Sequence, residues 1–148
     1  MIRFREASRA DVPTIVTLLA EDALGAAREG TDPAPYFAAF DAMQAEGGNL
    51  VIVGELAGRI VATCQLTFIT GLSLRASRRA QVESVRVAAD LRGQGFGAAL
   101  MAEAEARARA AGCSLIQLTT NAGRGRARKF YEALGFTPTH IGYKRDLN

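Results

Sequence analysis

Three glycines alternate in the stretch DLRGQGFGAALM (residues 90–101), at Gly93, Gly95 and Gly97, after an apolar run and before a strongly helical one. A strand feeding a glycine-rich turn at a helix start presents unpaired backbone N–H groups and the positive end of the helix dipole, which is a seat for phosphate. Any Cβ there would hold a bulky diphosphate away from those amides. The spacing lacks the two-residue gap of the dinucleotide fingerprint, and no Gly-Lys-Ser/Thr follows to make a P-loop. A tight turn with no ligand is the plainer alternative. Three glycines plus Arg92 within six residues are more than such a turn requires.

Few other residues could do chemistry. Cys64 and Cys113 lie in apolar surroundings without CxxC or Cys/His spacing, so they read as small hydrophobes. His140 is the single histidine, and neither a zinc motif nor a serine–histidine motif surrounds it, so no metal is expected. Alternation along residues 81–87 sets Glu83 on the face of Val85 and Val87, where a carboxylate is costly unless it meets water or a partner. Tyr131 falls on a helical stripe with Ala127, Phe130 and Leu134, which by itself reads as core. Basic residues gather at Arg75/Arg78/Arg79 and Arg124/Arg126/Arg128/Lys129, but without interleaved stacking aromatics they suit a solvated face better than nucleic acid.

The elements that must position these residues follow from periodicity. Residues 2–5 suit a short strand, and Ser8 with Asp11 resembles a capping box ahead of an amphipathic helix through Val12, Ile15, Val16 and Leu19. Residues 25–31 read as a loop, and Asp32-Pro33 opens a second helix with Tyr36, Phe40 and Met43 on one face. From residue 50 the period becomes two, with strands at 50–56 and 59–69 joined at Ala57-Gly58, and a third at 81–87 after a polar stretch at 70–79. A helix runs from the glycines to about residue 111, with Leu100, Met101, Ala104, Ala108 and Ala111 inward. Glu103/Arg107 and Glu105/Arg109 are paired outward at i, i+4. A strand at 114–120, a helix at 124–134 capped by Gly135, and a last strand at 141–147 complete the order. One domain over residues 1–148 is expected, α/β (α+β), a mixed sheet with helices on both faces. The chain has 148 residues, 49% of them hydrophobic, and a net charge of +3. Its longest apolar runs, such as residues 50–53, fall far short of a membrane span, and residues 1–11 carry no signal-peptide core, so a cytoplasmic protein is expected.

Three blocks in the second half carry a family resemblance. Arg92, Gly95 and Gly97 meet the pattern (Gln/Arg)-x-x-Gly-x-(Gly/Ala). Downstream, LTTN (residues 118–121) and ARKFYEALGF (residues 127–136) follow in the matching order and spacing. Together, residues 81–136 resemble the signature half of the GNAT superfamily of N-acetyltransferases, which implies that superfamily's fold with a splayed parallel strand pair and acetyl-CoA as acetyl donor.

The resemblance also assigns roles. Val85, Arg86 and Val87 match the strand whose backbone bonds the pantetheine arm. Arg92, Gly93, Gln94, Gly95, Phe96, Gly97 and Ala98 match the pyrophosphate loop, although Arg92 also suits an exposed helix entry. Asn121 matches a polar contact to the cofactor, or is a turn residue at a strand end. Tyr131 matches the hydroxyl that serves the departing thiolate. Glu83 matches an acid that some members use as base, or is a solvated strand-end glutamate. The implied reaction is direct attack by a neutral primary amine in a ternary complex. The oxyanion would be held near Val85, with no covalent intermediate and no role for either cysteine. The partner implied is a small-molecule or peptide amine. Nucleic acid and membrane are not expected, and a homodimer is left open. Glu21, Asp22, Glu29 and Asp32 could draw a cationic acceptor. A non-catalytic acyl-CoA-binding or sensing module and a nucleotide-binding protein are the competing readings.

Overall fold

The computed structural model describes all 148 residues. Its order is β1 (Arg3–Glu6), α1 (Val12–Ala20), α2 (Ala23–Arg28), α3 (Ala34–Glu46), β2 (Asn49–Leu56), β3 (Arg59–Thr70), α4 (Ser73–Ala76), β4 (Arg78–Val87), α5 (Phe96–Ala110), β5 (Leu115–Leu118) and α6 (Gly125–Ala133). The five strands lie in sequence order in one sheet. β1 to β4 are antiparallel neighbours, and β4 and β5 are parallel, joined by the α5 crossover. At the β2–β3 corner Ala57 and Gly58 both take positive φ, 50° and 79°, as a two-residue hairpin loop demands.

Parity along β3 divides the core. Ala62, Cys64 and Leu66 point to one face and pack with Ile52, Val82 and the α5 residues Leu100, Met101 and Ala104. Val61 points to the other, where it meets Leu18 of α1 and Ala88. The α1 entry is pinned as its sequence suggested. Asp11 accepts from the Ser8 backbone N–H at 2.7 Å and from Arg5 Nη1 at 2.7 Å, and Arg5 also donates to Glu55 on β2. The i, i+4 pairs on α5 form as expected, at 2.8 Å for Arg107–Glu103 and 2.6 Å for Arg109–Glu105.

Three local expectations change. Of the loop expected over residues 25–31, residues 25–28 belong instead to a helix, Ala23–Arg28. Asp22 caps it, and Gly25 is buried because an added Cβ would collide with the Leu19 carbonyl, so this glycine serves close packing. The polar stretch before β4 is short. Its single turn, α4, is left-handed at Leu74, Arg75 and Ala76, with φ of 51°, 60° and 56°. Residues 141–147 form no strand. The chain after Phe136 is exposed, and its one backbone hydrogen bond is from Thr139 N–H to Thr137 O, so the alternating pattern has no sheet partner within the chain.

Candidate active site

The site begins where β4 and β5 part. Their register runs from Arg79↔Leu115 to Val82↔Leu118, and β4 then continues to Val87 paired with β3 but free of β5. Within that free stretch Ser84 has φ of 55°, and two β4 residues stand between Glu83 and Arg86 where β3 has only Cys64 between their partners Gln65 and Thr63. This is a β-bulge. It reverses the alternation, so Val85 and Val87 join Ala80 and Val82 on the α5 side while Glu83 and Arg86 share the opposite face. Glu83 is therefore not beside Val85 and Val87, and it is exposed.

The three glycines divide their labour. Gly93 and Gly95 hold φ of 76° and 89° with nothing within 4 Å of where a Cβ would stand. Gly97 is different, because a Cβ there would lie 3.2 Å from the Phe130 ring, so it admits α6 against α5. The first backbone bond into α5 is Ala99 N–H to Gly95 O at 3.1 Å, and the N–H groups of Gly93, Gln94, Gly95, Phe96, Gly97 and Ala98 donate to no protein acceptor. Six consecutive amides at the start of a 15-residue helix fit a pyrophosphate. Around them Gln94 Nε2 donates to Asp90 O, and Arg92 Nε donates to Val87 O at 3.2 Å, holding the loop to the end of β4.

Tyr131 reaches the split from α6. Its ring packs edge-on against Phe130 at 5.0 Å and Phe136 at 5.9 Å, and its hydroxyl bonds no protein group. Burial raises the phenol above its ordinary value of 10.0, while the charges of Arg86 and Arg124 pull the other way. The group is thus a proton donor at neutral pH. Asn121 stands beyond the end of β5, and its Oδ1 accepts from Gly123 N–H at 2.9 Å, so the structure gives it a turn role. Burial pushes the Cys64 thiol up to about 12, which removes it as a nucleophile.

All four acids that could attract a cation are engaged locally. Glu21 accepts from Ala89 N–H, Glu29 from the Tyr36 hydroxyl, and Asp32 from Ala34 N–H. Asp22 takes Gly25 N–H and Arg124 and lies 3.7 Å from Arg86 Nε. That Arg86 and Arg124 meet gave no sequence signal, because it depends on the bulge and on the contact between the α1–α2 turn and α6. A cleft of about 60 Å³ opens beside the bulge among Ile15, Leu19, Thr63, Gln65 and Ser84. A larger one, about 210 Å³ between α1 and α3, shares no residue with the split or the glycine loop.

The acetyltransferase (GNAT) family model matches residues 14–136, most of the chain and all of the site just described. The chain belongs to the GNAT family. Among solved structures it is similar to a transcriptional regulator from Bacillus halodurans C-125, with 39% identity, 99% of this chain and 100% of that one covered, and a TM-score of 0.95. It is also similar to a putative acetyltransferase from Agrobacterium tumefaciens, at 27% identity, 97% and 99% coverage and a TM-score of 0.87. A predicted acetyltransferase with acetyl-CoA from Clostridium acetobutylicum, at 18% identity, 99% and 97% coverage and a TM-score of 0.78, shares the fold. No curated protein matches. The GNAT family is one of acyltransferases that use acetyl-CoA, and the free amides of residues 93–98 fit the pyrophosphate of such a donor. No helix is long and apolar enough to cross a membrane.

Proposed function

We propose that this chain moves an acetyl group from acetyl-CoA to a primary amine by direct attack in a ternary complex. The observation that carries the reading is the conjunction at one split in the sheet of six free amides and an unpartnered, protonated phenol. Bound acetyl-CoA supplies the activated thioester. The amides of Gly93 to Ala98 hold its phosphates, and the backbone of Val85, Arg86 and Val87 borders its pantetheine arm. A backbone N–H near Val85 receives the carbonyl oxygen.

The carbon–nitrogen bond forms as the carbon–sulfur bond breaks. Tyr131 gives its proton to the departing sulfur, and Glu83, exposed on the α1 side of β4, takes the amine's proton through water. Asn121 lends its Nδ2 to the cofactor while its Oδ1 holds the turn. Neither cysteine forms an acyl intermediate. The acceptor is a small molecule or a peptide, and the reaction is cytoplasmic.

A binding or sensing module is the second reading, favoured by the name of the Bacillus halodurans relative. The test is a thiol-release assay with Tyr131→Phe beside the unaltered chain. A fall in kcat of about 100-fold with acetyl-CoA affinity kept supports transfer. Acetyl-CoA binding without amine-dependent release supports the module.

A further inference from the structure

The arginine pair on the α1 side of the split is left with more positive charge than the protein neutralises. Arg86 is held with 12% of its side chain exposed, donates Nη1 to Val85 O, and leaves its buried Nε with no hydrogen-bond partner. Asp22 is the one carboxylate between Arg86 and Arg124, and it bonds Arg124 at 3.0 Å while standing 3.7 Å from Arg86. A desolvated guanidinium without its full set of acceptors is costly, and a bidentate anion is what its fork geometry fits. Arg86 stands on β4 itself, on the same face as Glu83, and Arg124 opens the helix that carries Tyr131.

We infer that Arg86 and Arg124 form an anion seat beside the transfer site, so that the acceptor amine also carries a carboxylate or a phosphate. This rests on the acetyltransferase reading and narrows its substrate class. The seat replaces the expected acidic attraction, because Glu21, Asp22, Glu29 and Asp32 are all engaged within the protein.

The test titrates CoA-saturated protein, with the glycine loop thereby filled, using N-acetylglycine, N-acetyl phosphoethanolamine and neutral N-acetylglycinamide. Initial rates with the three parent amines run in parallel. One or both anionic ligands are expected to bind about tenfold or more tightly than the amide, and Arg124→Gln to erase that preference while leaving CoA affinity unchanged. The carboxylate and phosphate arms tell which anion is preferred. Equal binding of the neutral ligand, or a preference that survives Arg124→Gln, overturns the seat. Failure of CoA itself to bind overturns the acetyltransferase reading instead, and the seat's assignment to an acceptor with it.

Discussion

Tyr131 carries the sharpest expectation at the scale of single residues. Its phenol is raised by burial, so it stays protonated through neutral pH, and its ionisation should not limit the rate below about pH 10. A pH profile with an alkaline limb near pH 7 that Tyr131→Phe abolishes would contradict this. Cys64 behaves oppositely to a nucleophile, since its thiol is pushed up to about 12. The double variant Cys64→Ala/Cys113→Ala should keep its turnover, measured on protein that remains folded. Asp11 has a structural role instead. Arg5 and the Ser8 N–H hold its carboxyl at about 2, below the ordinary 3.8, so its contribution is complete above pH 4 to 5 and lost as the pH falls through about 2. Asp11→Asn should therefore cost about 1–3 kcal/mol in urea unfolding at pH 7, and the difference should shrink toward pH 2.

At the scale of elements the glycine loop and the bulge matter most. Gly97→Ala would press a Cβ to 3.2 Å from Phe130 and shift α6, costing about 1–3 kcal/mol and disturbing Tyr131, whereas Gly95→Ala meets no atom and strains only its left-handed φ. Calorimetry and kinetics should separate them: Gly95→Ala weakens acetyl-CoA binding, and Gly97→Ala also lowers kcat. Alternation and helical periodicity placed β2, β3, α5 and α6 in the sequence because each buries one face against neighbours that repeat the same period. The bulge at Ser84 was not legible. A single left-handed serine leaves no compositional mark, yet it decides that Glu83 shares a face with Arg86 rather than with Val85. Gly25 misled for a related reason, since a glycine needed for close helix packing looks like a glycine that frees a loop.

At the scale of the whole molecule, sequential antiparallel strands followed by one helical crossover leave a parallel pair that parts beyond Val82 and Leu118. That split brings the loop, the bulge and Tyr131 together. The family pattern in residues 92–97 and 127–136 made it legible. The terminal segment was legible only as a strand pattern, because alternation reports what a segment can pair with and is silent on whether the ladder forms. The proposed anion seat depends on the α1–α2 turn meeting α6, which no local pattern encodes. The most direct measurement is release of free CoA thiol at saturating acetyl-CoA across primary amines with and without carboxylate or phosphate groups, with products weighed by mass spectrometry. Release that depends on the amine, with one acetyl group gained by it, is the predicted result, and tight acetyl-CoA binding with no amine-dependent release from any of them would contradict the account.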